Sequence, residues 1–155
     1  MGVKVDCREL KEFAKKIEKL NGQQRERFFE AAAKAMAGRL LALVIPATPV
    51  GKVYGGTLRR GWTGGTDAAS FSAKMTVQRV GGGYSITITN PVKYASYVEY
   101  GHRQTPGRYV PAIGKRLKAS WVNGKFFLRT SEEQLRAAAP TILQPLLDAY
   151  LRQVF

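Results

Sequence analysis

Acid–base chemistry near neutral pH needs carboxylates or imidazoles that can converge, and between residues 31 and 131 the chain offers only Asp67, Glu99 and His102. Glu99 and His102 stand three apart, close enough to hydrogen-bond at a helix end, but such a pair is far more often a local surface or interface contact than a proton-transfer couple. A two-metal nuclease would need several carboxylates that this stretch lacks. Cys7 falls in the first turn of a predicted helix, where the dipole can lower a thiol pKa, yet no histidine or second thiol stands near it and it reads as a packing residue. One cysteine and one histidine supply neither an internal disulfide nor a structural zinc set. The expectation is a protein with no enzymatic activity, no metal and no cofactor.

A different pattern is richer. Arg103, Arg108-Tyr109, Lys115-Arg116, Lys118, Trp121 and Lys125-Phe126-Phe127 interleave cations with aromatic rings, a composition that can follow a phosphate backbone and stack on bases. The plainer reading makes Trp121, Phe126 and Phe127 core or subunit-contact residues and the cations a solubilising surface. Arg103, Arg108, Lys115, Arg116, Lys118 and Lys125 are therefore candidate contacts for DNA or for an acidic protein.

The charge distribution agrees with that focus. The 155 residues carry 25 Lys and Arg against 11 Asp and Glu, a formal charge of +14. Fifteen of the bases and only two of the acids lie between residues 31 and 131, so this middle stretch holds +13 of the total while both ends are nearly neutral. The length suits one domain with a real core. Met1 to Asp6 lacks the apolar centre of a signal peptide and no apolar run reaches membrane-spanning length, so a protein made in a reducing cytoplasm, away from any membrane, is expected.

The elements that must position these groups follow from periodicity and punctuation. Asp6 and Glu9 have capping-box spacing, and Leu10, Phe13, Ile17 and Leu20 recur at helical intervals up to Asn21-Gly22. From Gln23 a second helix carries Phe28, Phe29, Ala32, Ala33, Met36, Leu40, Leu43 and Val44 and is expected to stop at Pro46. Its alanines allow close packing within the subunit or against another. Residues 46–72 read as a long glycine- and proline-punctuated loop, of a length that is usually functional or ordered by a partner. Residues 73–90 read as a β-hairpin turning at Gly81-Gly82-Gly83, with at least one more strand near Trp62. Residues 91–130 hold a short aromatic helix opened by Pro91, with Tyr94, Tyr97 and Tyr100, and then an irregular basic loop over 101–125 of charge +6. Ser131 and Gln134 form a capping box for a C-terminal helix over 131–155, with a break or kink expected at Pro140 and Pro145. The fold class expected is α+β: a small antiparallel sheet packed with N-terminal helices and a C-terminal helix, in one domain over 1–155.

Two stretches resemble one family. Thr48-Pro49-Val50 followed by Gly56-Thr57-Leu58-Arg59-Arg60-Gly61-Trp62 is similar to the TPVdTGxLRxSW signature of the gene-product-ten-like tail components of tailed bacteriophages, also described as tail-completion or head-tail joining proteins. Gly51-Lys52-Val53-Tyr54-Gly55 stands where that family usually places one Asp or a few residues. Asn90-Pro91-Val92-Lys93-Tyr94-Ala95-Ser96-Tyr97-Val98-Glu99-Tyr100-Gly101-His102-Arg103 is similar to its N-x-V-x-YAxYVExGxR segment. Trp121 to Leu128 with Ser131-Glu132-Glu133-Gln134-Leu135 resembles the end of versions found in prophages and phage-like contractile particles of Gram-positive bacteria.

The resemblance implies a structural virion protein of the neck: a ring-forming subunit, expected as a hexamer, between the portal or connector and the tail tube. Its implied partners are itself, neighbouring neck, connector and tail-terminator or tube proteins, and packaged DNA in the lumen. Thr57, Leu58, Arg59, Arg60, Trp62, Tyr94, Tyr97, Glu99 and Tyr100 become candidate interface residues, with Glu99 expected to pair with Arg59 or Arg60, within or between subunits. The alternative is a basic nucleic-acid-binding module that is no part of a virion.

Overall fold

The computed structural model describes residues 1–6, 22–52 and 55–154. The expected first helix over Leu10, Phe13, Ile17 and Leu20, and with it Cys7, lies outside the described residues. Asp6, placed at its cap by the sequence pattern, instead ends a strand, β1 (Gly2–Asp6).

A 26-residue helix, α1 (Gly22–Ala47), follows. Phe28, Ala32, Ala33, Met36, Ala37, Leu40, Leu41 and Val44 are buried along it, a stripe at steps of three and four residues that is too wide for one neighbour. Pro46 sits inside the last turn and does not end it. Ala32, Ala33 and Ala37 are fully buried, so the close packing that alanine permits is used inside the subunit.

Two short helices, α2 (Thr57–Arg60) and α3 (Ala68–Ala73), occupy the stretch expected to be a long loop. Asp67 caps α3, its Oδ1 accepting the Ser70 N–H at 2.9 Å. Hydrogen bonds from Ser70, from its side chain first and its backbone next, hold the Asp67 carboxyl below the ordinary aspartate value.

The hairpin is β2 (Gln78–Val80) and β3 (Gly83–Thr89). Its turn residues Gly81 and Gly82 have φ of 54° and 76°, the two positive values that a tight twisted hairpin turn requires. β3 is central, with β1 antiparallel on one side (Val3 opposite Ile88) and β2 on the other (Arg79 opposite Tyr84). The third strand is therefore β1, not a strand near Trp62. Ile86 and Ile88 are buried on the face that meets α1.

The aromatic helix, α4 (Ala95–Tyr100), starts four residues after Pro91. Pro91 itself lies in an Asx turn in which Asn90 Oδ1 accepts the Val92 N–H at 3.1 Å. The last helix, α5 (Phe127–Val154), runs unbroken through Pro140 and Pro145. It lies antiparallel along α1: Phe28 meets Tyr150 edge-on at 5.5 Å, near the start of one helix and the end of the other. The core is the layer between α1, α5 and the sheet, an α+β arrangement.

Candidate assembly interface

The first of the two motif stretches folds into a clasp on the C-terminus of α1. Thr48 is fully buried, and its Oγ1 donates to Val44 C=O at 2.6 Å while accepting Trp62 Nε1–H at 2.8 Å. Arg59 reaches the same helix end: Nε donates to Thr48 C=O at 3.1 Å, and Nη2 to Thr48 C=O at 2.8 Å and Pro46 C=O at 3.1 Å. A guanidinium on the last carbonyls of a helix satisfies orphan acceptors and sits at the negative end of the dipole. Leu58 and Trp62 are buried beneath it. Asn90 Nδ2 donates to Leu58 C=O at 2.8 Å and ties α2 to the end of β3.

The second stretch folds into a cap on the N-terminus of α5. Glu99 is fully buried, with Oε2 accepting Leu128 N–H and Oε1 accepting Arg129 N–H, both at 3.0 Å. Two of the four orphan donors of α5 are thus met by one carboxylate from a distant segment, at the end where the dipole favours negative charge. The backbone is pinned beside it, since Lys125 N–H donates to Val98 C=O at 2.8 Å and Phe126 N–H to Glu99 C=O at 3.1 Å. The approach is so close that a Cβ on Gly124 would lie 2.3 Å from the Glu99 carbonyl oxygen, and one on Gly101 2.4 Å from that of Val122.

This geometry corrects several expectations. Within the subunit Glu99 pairs with neither Arg59 nor Arg60: it caps α5, Arg59 caps α1, and Arg60 Nη1 donates to Gly55 C=O at 2.8 Å. Nor does Glu99 meet His102, whose Nε2 lies 3.3 Å from Gln104 Nε2 and whose ring packs 5.6 Å from that of Tyr97. Ser131 is no cap, for it lies in the second turn and its hydroxyl donates to Phe127 C=O at 2.7 Å. Leu58, Trp62 and Glu99 are buried internal fasteners, and the half-buried Arg59 is bonded to its own subunit. Thr57, exposed, opens α2, and Tyr94, half-buried, packs against the core. Among the described residues no group of three or more His, Cys, Asp or Glu could hold a metal ion. No helix among them is long and apolar enough to cross a membrane.

What remains outside is the stretch expected to be an irregular basic loop, and it is a two-stranded arm. β4 (Gly101–Arg103) pairs with β7 (Trp121–Asn123), and β5 (Tyr109–Val110) with β6 (Lys115–Arg116). Backbone bonds fill the gap between them: Gln104 N–H to Ser120 C=O at 2.9 Å, and Gly107 N–H to Leu117 C=O and Leu117 N–H to Arg108 C=O at 2.8 Å. A 3₁₀ turn over Pro111–Ile113 and a left-handed Gly114 close the tip. Arg103, Arg108, Lys115, Arg116, Lys118 and Lys125 are all exposed along it, and no ion pair among the described residues involves them.

At the foot of the arm, four aromatic side chains face solvent: Tyr97 and Tyr100 at 58% exposure, Trp121 at 49% and Phe126 at 41%. Phe126 holds a left-handed φ of 48°, alone among the described non-glycine residues. The sequence had singled out the tyrosines but placed Trp121 and Phe126 beside the cations. Their common position follows only from the pairing of β4 with β7 and from the Glu99 cap.

Residues 11–101 match the family model described as bacteriophage HK97-gp10, putative tail-component. No curated protein and no solved structure is significantly similar to the chain. The matched range contains the first motif stretch and the second as far as Gly101, where the arm begins.

Proposed function

The chain belongs to the HK97-gp10-like family of bacteriophage tail components, and on that footing we propose that it is a non-enzymatic structural subunit of the virion neck that forms a ring with copies of itself between the connector and the tail. The observation that carries this reading is the group of exposed aromatics at the foot of the arm. Large rings half open to water are the anchors that dominate protein interfaces when covered. Tyr97, Tyr100, Trp121 and Phe126 come from segments hydrogen-bonded to one another, so they move as one unit. In a ring each subunit offers two different patches to its neighbours, and an arm beside an aromatic patch supplies a ready asymmetry. The family signature, in this reading, builds the scaffold that holds the patch and does not itself make the contact.

The test is a Tyr97→Ser, Tyr100→Ser double variant. It is expected to keep the wild-type unfolding midpoint, because both side chains are exposed, and to lose self-association by about 30-fold or more per buried anchor. Light scattering, with the adjoining neck and tail proteins present, reads the association. A wild-type chain that stays monomeric with those proteins present sinks the proposal, as does a double variant that assembles normally.

A further inference from the structure

The arm carries six cations and no acid between residues 101 and 125. The pairing fixes how they are distributed. Arg103 opposes Trp121, Tyr109 opposes Arg116 and Val110 opposes Lys115. Between these blocks Thr105, Pro106 and Gly107 on one strand face Lys118 and Ala119 on the other, a bulge that twists the ribbon. Counting alternation through the register puts Arg103, Arg108 and Lys115 on one face and Arg116 and Lys118 on the other. The ribbon is positive whichever way it is approached. It extends roughly 30 Å from its foot at about 3.3 Å per residue, and beyond the foot its residues are exposed except for the half-buried Gln104, Val110 and Leu117.

We infer that this arm binds the phosphates of double-stranded DNA without reading their sequence. A surface that meets an acidic protein needs charge on one face and an apolar centre depleted of charge. This ribbon has charge on both faces, and its large exposed hydrophobic residues beyond the foot, Tyr109 and Ile113, lie at the tip. The major groove of B-DNA admits a two-stranded ribbon between two phosphate-lined walls, so both faces of such an element would be engaged there. The +14 charge also has to be met by anions if copies of the chain are gathered in one assembly, and the arm is where the described charge is least compensated. The inference does not rest on ring formation, because one subunit presents the whole arm.

The experiment titrates the full chain against a short mixed-sequence DNA duplex at several salt concentrations and reads binding by fluorescence anisotropy. The log–log salt slope is about −0.9 per phosphate engaged, so about −3 to −5 is expected for the wild type. The triple variant Arg108→Ala, Lys115→Ala, Lys118→Ala is expected to flatten that slope by about 2 to 3 and to weaken binding roughly 100-fold or more at low salt. A charge-matched control, Arg25→Ala, Arg39→Ala, Arg136→Ala on the exposed sides of α1 and α5, is expected to keep most of the affinity and the slope. Equal losses in the two triples would show that net charge alone is responsible and would overturn the proposal. So would arm-dependent binding of polyglutamate without binding of the duplex, which would assign the arm to an acidic protein. Light scattering on the same samples reports self-association separately, so failure here leaves the ring reading to its own test.

Discussion

Glu99→Ala is expected to lower the free energy of unfolding by about 3 to 5 kcal/mol, measured from urea titrations analysed at constant m. Each of the two bonds it makes is charge-assisted, and bonds of that kind contribute about 1.5 to 3 kcal/mol. Their loss also leaves the N–H groups of Leu128, buried, and Arg129, part-buried, without their acceptor at the start of α5. Glu99→Gln separates the contributions. It keeps the shape and one acceptor oxygen but removes the charge and turns a donor toward a donor, so a loss between that of alanine and zero is expected. A loss below about 1 kcal/mol for the alanine variant would mean that α5 is capped some other way.

The second large effect belongs to Trp62. Truncating this fully buried indole to alanine is expected to cost about 3 to 5 kcal/mol, the range for large aromatic side chains removed from a core. Part of the loss is volume, since the ring packs edge-on against Phe127 at 6.4 Å. Part is the hydrogen bond to Thr48, and Trp62→Phe isolates it: retained bulk with no indole N–H should cost about 1 to 2 kcal/mol. A Trp62→Ala variant that unfolds within about 1 kcal/mol of the wild type would show that the clasp on α1 is decorative.

The local parts of this fold are plain in the sequence and the long-range parts are not. The buried stripe of α1, the Gly81-Gly82 turn and the aromatic helix near Tyr97 each follow from residues within a few positions of one another. The cap of α5 does not. Ser131 and Gln134 present the right local pattern for a helix start, but the true acceptor is Glu99, 29 residues before Leu128, and the helix begins four residues earlier than the pattern suggests. Pro140 and Pro145 were expected to break α5 for a sound local reason, the lost N–H donors. Both are exposed, so the carbonyls they leave unpaired lie on the face toward water, and the helix continues.

The motif residues show the same division. Thr57 to Trp62 and Tyr94 to Tyr100 stand out by spacing, and spacing alone cannot say whether such residues fasten a chain to itself or to another. Leu58, Arg59, Trp62 and Glu99 do the first. Tyr97 and Tyr100 stay exposed, and Trp121 and Phe126, exposed as well, join them at the foot only because the arm folds back to Gly101. The glycine-rich stretch 46–72 was read as waiting for a partner, and the end of α1 is that partner, through Thr48 and Arg59.

The two feet of the arm are stitched together at Val98–Gly101 and Gly124–Phe126, and the ribbon beyond them is bonded chiefly to itself. To the rest of the molecule it is a cassette. Its reach and its tip can be rewritten, or a reporter spliced in at Gly114, with the chassis left as it stands.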